Sequence, residues 1–218
     1  MDIAQTIALT MGVAWASGIN LYAAILMLGV MGTTGNLALP ADLQILTDPM
    51  VMGAAGLMYF VEFFTDKVPG IDTAWDGLST FIRIPAGAIL AAGVMGDVGP
   101  AAQLAAAIAG GTLTAGTHAT KAGTRVLINT SPEPVSNWLA SVGEDVAVIL
   151  GLWTALAHPV LFIVLLILFI LFMIWALPKL WRGIKKVFGL IRRKLGDNKT
   201  EAPPDNTQAS SSIEKTKP

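Results

Sequence analysis

Three groups of charged residues could do chemistry in this 218-residue chain. Glu62 and Asp66 are four positions apart, so on a helix they share one face. His118, Lys121 and Arg125 are separated by three and four positions and share a face as well. Glu144 and Asp145 lie well inside a later apolar stretch, and Asn20 and Arg83 interrupt two others. An ionisable group at membrane depth is costly, so it pairs or faces a polar cavity. Glu62 or Asp66 is therefore expected near Lys121 or Arg125, and Glu144 or Asp145 near Arg83, Lys121 or Arg125. Together these residues would make a polar binding site. The alternative places them at the cytoplasmic interface, with Lys and Arg snorkelling and the carboxylates solvated.

Residues 110–125 interleave Gly, Thr and three basic groups. Gly lets a backbone come near a ligand, and Thr with Lys and Arg can hold an anion. The spacing is not that of a phosphate-binding loop, so nucleotide binding is not expected. The other reading is a tightly packed helix whose threonines bond their own backbone. His118 and His158 stand apart and are predicted on opposite sides of a membrane. That leaves too few histidines for a His-rich metal site and no nucleophile–base pair. The four carboxylates alone could form an oxygen-ligand metal site, but the neighbouring bases argue against one. Cysteine is absent, which removes disulfides, thiolate sites and Cys nucleophiles. The expectation is a protein that is not an enzyme and carries neither metal nor cofactor.

The elements that must position these groups are apolar helices. Hydrophobic residues make up 54% of the chain and charged residues 13%, against about 25% charged in soluble domains. Many of the glycines lie inside apolar runs, as in membrane helices that approach closely. The pattern predicts an all-α, polytopic transmembrane bundle of about six spans. These are 3–32, 50–64, 85–95, 101–117, 135–156 and 160–177. The first lacks a basic leader segment and is expected to be retained as a helix. It is longer than a bilayer core requires, and Ser17-Gly18-Ile19-Asn20 sits in its middle. Either it is a continuous tilted helix with Asn20 bonding a neighbour, or it is discontinuous and lines a site. Residues 71–84 carry apolar positions at helical spacing, with Asp72 and Asp76 on other faces. They read as an amphipathic helix at the membrane surface or tucked against the bundle, with the short span 85–95 either separate from it or continuous with it. The sixth span has neither charge nor Gly and suits the outside of the bundle, facing lipid.

Ten of the fourteen Lys and Arg follow Pro178. They directly follow an apolar span, so nucleic acid is not the expected partner. In the six-span layout every basic residue falls on one side, which places both termini in the cytoplasm. Residues 179–195 put Arg182, Lys185, Lys186, Arg192 and Arg193 opposite an apolar face, as in a helix lying on anionic inner-leaflet lipid. The organisation expected is a membrane domain over 1–178, this surface helix over 179–195, and a disordered tail over 196–218. The set Ile71, Ala74, Trp75, Leu78 also matches Val135, Trp138, Leu139, Val142 at a constant offset. Two related hairpins, repeated in parallel about the membrane normal, would produce that match.

The segments FVEFFTDKVPG (60–70), FIRIPAGA (81–88) and GTHATKAGTRVLINTSPEP (116–134), with SGINLY (17–22) and GED (143–145), resemble a bacterial multi-pass membrane family. That family is catalogued as domain of unknown function 4126. The resemblance covers roughly residues 5–157 and leaves the last span and tail as an appendage. It implies a bacterial inner-membrane location and carries over no functional residues. Three functions are open on the residues: a small transporter or channel-like protein for a small solute or ion, a lipid-headgroup-handling protein, and a membrane scaffold or assembly factor. A homo-oligomer fits each of them.

Overall fold

The computed structural model describes residues 1–68, 70–130 and 134–197, and the side chains of 1–68, 70–130 and 135–189. Its helices are α1 (Ile3–Thr33), α2 (Pro49–Thr65), α3 (Ile71–Val94), α4 (Pro100–Ile128), α5 (Pro134–Ala157) and α6 (Pro159–Asp197), with a short 3-10 helix at Ala41–Thr47. Four of them begin at proline, whose missing N–H is no loss in a first helical turn. Asp2 caps α1, accepting from Gln5 N at 2.7 Å while Gln5 Oε1 accepts from Asp2 N at 3.1 Å. Gly99, at φ +131°, makes the tight turn between α3 and α4.

The chain is an integral membrane protein built as a helical bundle. The segments Ile3–Thr33, Ile71–Val94, Val135–Ala157 and Pro159–Gly189 are long and apolar enough to cross a bilayer. α2 is a shorter apolar helix. The Gly, Thr, Lys and Arg of α4 lower its hydropathy, and it packs between α1 and α3. The predicted helix 71–84 and the span 85–95 are continuous, one helix running through Pro85. Two other expected boundaries shift. The polar segment after residue 117 continues α4 to Ile128. The predicted span 160–177 and the surface helix 179–195 are also one helix, running through Pro178. At 1.5 Å per residue α6 is about 58 Å long, roughly twice a bilayer core. Leu180 and Ile184 still pack beside Gly123, so the part after Pro178 continues along α4. Residues 198–218, which hold most of the expected disordered tail, lie outside the described residues.

The principal departure is α1, which does not run from end to end. At Asn20 the backbone leaves the helical region (φ −145°, ψ 98°). Asn20 Oδ1 accepts from Ala23 N at 3.0 Å and so caps a second helical segment. The order of neighbours reverses there. Gly12, Trp15 and Asn20 meet Ala155, Gly151 and Asp145 in turn, going down α5. Ala23 to Met31 then line a cavity with Ile149 and Trp153, going back up it. Gly29 packs on Leu46 and Met52, and Leu43 packs on Gly93 near the end of α3. α1 is thus a helical hairpin with its apex at Asn20. Its two ends lie with the 34–48 loop, the 95–99 turn and the start of α6. The expectation that both termini share one side is corrected: Ile3 and the far end of α6 lie at opposite ends of the bundle.

The amphipathic stretches 71–84 and 135–142 turn their apolar faces outward and their polar faces into the bundle, so of the two expectations for 71–84 an apolar face tucked against the bundle is not the one present. Leu78 and Phe81 are 62% and 81% exposed, while Asp72, Asp76 and Arg83 are buried. In α5, Val135 and Leu139 are exposed, while Asn137 and Ser141 are buried. Lipid is the solvent, so apolar faces point outward and polar stripes point in. The α6 span sits at the periphery, burying Phe162 and Leu166 and leaving Leu168 and Ile174 exposed.

Close approach of α1, α3 and α4 depends on small residues. A Cβ on Gly18 would lie 2.7 Å from the Thr114 carbonyl oxygen, a backbone atom with little room to yield. Gly18→Ala is therefore expected to destabilise the protein by about 1–3 kcal/mol, read as a lowered unfolding midpoint in detergent. The cysteine-free chain also permits single-cysteine mapping. An impermeant maleimide is expected to label Ile3→Cys and Gln44→Cys from one side of sealed vesicles and Lys185→Cys from the other. Labelling of Ile3→Cys together with Lys185→Cys from a single side would refute the hairpin.

Candidate functional site

The break in α1 creates the centre of the site. Ala23 N is taken by the Asn20 side chain, so the Ile19 carbonyl has no helical partner. Arg83 Nη1 of α3 donates to it at 2.8 Å and Lys121 Nζ of α4 at 3.0 Å. Both cations reach it because Gly18 and Gly87 let α1 and α3 close on Thr114 of α4.

These cations are paired in turn. Arg83 Nη2 lies 2.5 Å from Glu62 Oε1 of α2. Lys121 Nζ lies 3.0 Å from Asp66 Oδ2, 3.3 Å from Glu62 Oε1 and 3.4 Å from Glu144 Oε2. Arg125 Nη2 lies 2.6 Å from Glu144 Oε2 and 3.6 Å from Asp66 Oδ2. Arg125 Nη1 also donates to the carbonyls of Asp66 and Asn137, tying the end of α2 to α5. Asp76 Oδ1 stands 3.8 Å from both Arg83 and Lys121. Glu62, Asp76, Arg83 and Arg125 are at most 1% exposed, so the cluster lies inside the bundle. Of the two sequence alternatives, the paired arrangement is the one present.

Four satellite networks surround it. His118 Nε2 lies 2.8 Å from Thr80 Oγ1 and 3.0 Å from the Asp76 carbonyl. Nδ1 faces Arg83 Nη1 at 3.5 Å. Asp72 accepts from Gly70 N, Thr73 N, Asn129 Nδ2 and Asn137 Nδ2, and so is held by dipoles without a cation. Asp145 accepts from Asn20 Nδ2 at 3.0 Å and from the Tyr59 hydroxyl. Lys67, in the turn after α2, donates to Phe63 O and Ser141 Oγ and stacks over the Phe63 ring. Burial draws its ammonium below the ordinary lysine range, with Asp145 and Asp66 pulling the other way.

Every residue of the expected polar site joins this region: Asn20, Glu62, Asp66, Arg83, His118, Lys121, Arg125, Glu144 and Asp145. Asp76, Asp72, Tyr59, Asn137 and the Ile19 carbonyl were not expected there. The stripe Asp72, Asp76, Ser79, Arg83 recurs at helical spacing and was the available signal. Only Arg83 of that stripe was assigned to the site; Asp72 and Asp76 were placed on other faces of the helix. Of the two readings of residues 110–125, the tightly packed helix with threonines bonded to the backbone is the one present. Thr114 donates to Ala14 O and Gly110 O, Thr112, Thr120 and Thr124 bond their own helix, and the bases are held by carboxylates. At the far end of α6, Arg182, Lys185 and Lys186 are exposed, while Arg192 and Arg193 lie outside the described side chains. Among the described residues, no three Asp, Glu or His side chains converge as a metal site would require.

The model of a family described as "Domain of unknown function (DUF4126)" matches residues 7–179. The match takes in the α6 span, which is therefore part of the family domain and not an appendage. No curated protein and no solved structure matches the chain.

Removing one partner of a buried pair strands the other, at a cost of about 3–5 kcal/mol. Arg83→Met should destabilise the protein toward the lower end of that scale, because buried Glu62 then keeps only Lys121, at 3.3 Å. Arg83→Met with Glu62→Met should recover much of the loss. Thermal unfolding of the two variants in detergent checks the sign of the coupling.

Proposed function

The chain belongs to this family of unknown function, and we propose that it is a small transporter or channel-like protein for a small ion or solute. The observation that carries the reading is the apex of the α1 hairpin set against a buried ionic cluster. Broken helices that present backbone ends to charged groups near mid-membrane are a recurrent way to build such a pathway. Charges at membrane depth default to functional roles because they are costly to keep for stability alone. The apex, the two acids of α2, the bases of α4 and the acid of α5 are each supplied by a different helix. A shift of one helix would therefore exchange partners within the cluster.

In this proposal the exposed Lys179, Arg182, Lys185 and Lys186 mark the cytoplasmic end of a bacterial inner-membrane protein. The 34–48, 95–99 and His158 connections carry no Lys or Arg. Lys67, Arg83, Lys121 and Arg125 are bound internally and do not count as free positive charge. The N-terminus then lies on the periplasmic side. A scaffold whose ion pairs only hold helices together is the second reading, favoured by the many short pairs in the cluster.

Purified protein in liposomes is expected to show flux of a small ion or solute, assayed across protons, sodium, potassium and small anions. Lys121→Ala and Glu62→Gln should bring that flux close to the protein-free background while each variant still reconstitutes. Folded wild-type protein that moves none of these would turn the balance to the scaffold.

A further inference from the structure

We propose that Asp76 is the proton-binding carboxylate of the cluster, an inference that rests on the transport reading and names the proton as its coupling ion. Glu62, Asp66, Asp76 and Glu144 face Arg83, Lys121 and Arg125, so the group holds four acids and three bases. Fully ionised, it would keep one uncompensated negative charge away from water, where such a charge is neutralised in preference to being retained. The odd carboxylate is identified by its contacts. Glu62, Asp66 and Glu144 each have a cation within 3.0 Å. Asp76 has cations only at 3.8 Å, and both its oxygens are buried without a hydrogen-bond partner.

The donors around Asp76 are already committed. Arg83 spends Nη1 on the Ile19 carbonyl and Nη2 on Glu62. Lys121 is divided between that carbonyl, Glu62 and Asp66. His118 of α4 sets Nε2 against Thr80 Oγ1 and the Asp76 backbone carbonyl and not against the carboxylate. Glu62 and Asp66 on α2, with Glu144 on α5, add negative charge around the same pair of cations. α1 contributes only the Ile19 carbonyl dipole.

A proton on one Asp76 oxygen makes the group neutral and costs no existing bond. A metal ion would need several oxygens converging on one point, and the described residues do not present that. Proton release follows when Arg83 or Lys121 leaves the Ile19 carbonyl for Asp76. Proton occupancy is thereby linked to the apex of α1. Deprotonation as pH rises restores the uncompensated charge, so the proton-loaded arrangement is favoured at the lower pH.

Infrared titration of the full chain in nanodiscs, with and without 13C-aspartate, tests this. A protonated-carboxyl band is expected near neutral pH. It should shift on aspartate labelling, disappear as pH rises, and be lost in Asp76→Asn. In Asp76→Glu the band should remain but no longer respond to the aspartate label, which covers a failure of the Asn variant to fold. Absence of an aspartate carboxyl band at any pH, or its persistence in Asp76→Asn, overturns the assignment. Flux without the band would leave transport standing and sink Asp76, whereas the band without flux of any solute would do the reverse. Flux driven by sodium and indifferent to the proton gradient would overturn the choice of coupling ion.

Discussion

A helix broken inside a packed bundle leaves buried backbone groups that must find partners. At the apex of α1 this is the constraint from which the rest of the interior follows. The Asn20 side chain satisfies the amide side of the break through Ala23 N, and Arg83 and Lys121 satisfy the carbonyl side through Ile19. Two cations drawn into the bundle then require anions, and α2 and α5 supply them. Arg125 extends the same chain of dependence by joining Glu144 to the backbone of Asp66 and Asn137. The ionic cluster and the fold-back of α1 are therefore one structural unit.

That unit depends on close backbone contact, and small residues provide it. Lipid tails are as apolar as leucine, so helices in a bilayer gain little from hiding apolar surface and associate through packing and polar contacts. Gly18 and Gly87 both rest against Thr114, and Gly110 rests against Ala91. Thr114 uses the proximity to donate to Ala14 of the neighbouring helix as well as to its own. This explains why α4, the least apolar of the long helices, is so closely engaged by α1 and α3. Its threonines and glycines weaken it as a span facing lipid but suit it to hold Lys121 and Arg125 against the apex.

The helical class, most helix positions and the pairing of opposite charges were legible in the residues. Glu62, Asp66, Lys121, Arg125 and Glu144 could be matched because a membrane interior leaves an unpaired charge few alternatives. The course of α1 was not legible. Ser17-Gly18-Ile19-Asn20 marks a weak point, but a weak point becomes a tilt, a kink or a reversal according to what packs on each arm. Here Leu46 and Met52 hold the second arm, and neither is near it in sequence. The inward stripe of α3 was missed for a different reason. Asp72 and Asp76 look like a face turned from the core only if water lies outside. With lipid outside, the same periodicity puts Phe81 on the surface and Asp76 in the centre.

The same inversion bears on how orientation is read. A count of basic residues treats each Lys and Arg as free charge, and by that count Lys67, Arg83, Lys121 and Arg125 strengthen the case for one side. Three of these are neutralised by partners within a few ångströms, and all four are buried. They report the interior of the bundle and carry little information about the compartment beyond it. The argument then rests on α6, whose apolar span ends near Pro178 and whose next residues expose Lys179, Arg182, Lys185 and Lys186. Fewer charges support the orientation in this form, but each is exposed at the surface. Because α1 folds back, the uncharged N-terminal arm emerges with the loops that carry no Lys or Arg. The segregation of free positive charge to one end is therefore complete across the described side chains without both termini sharing a side.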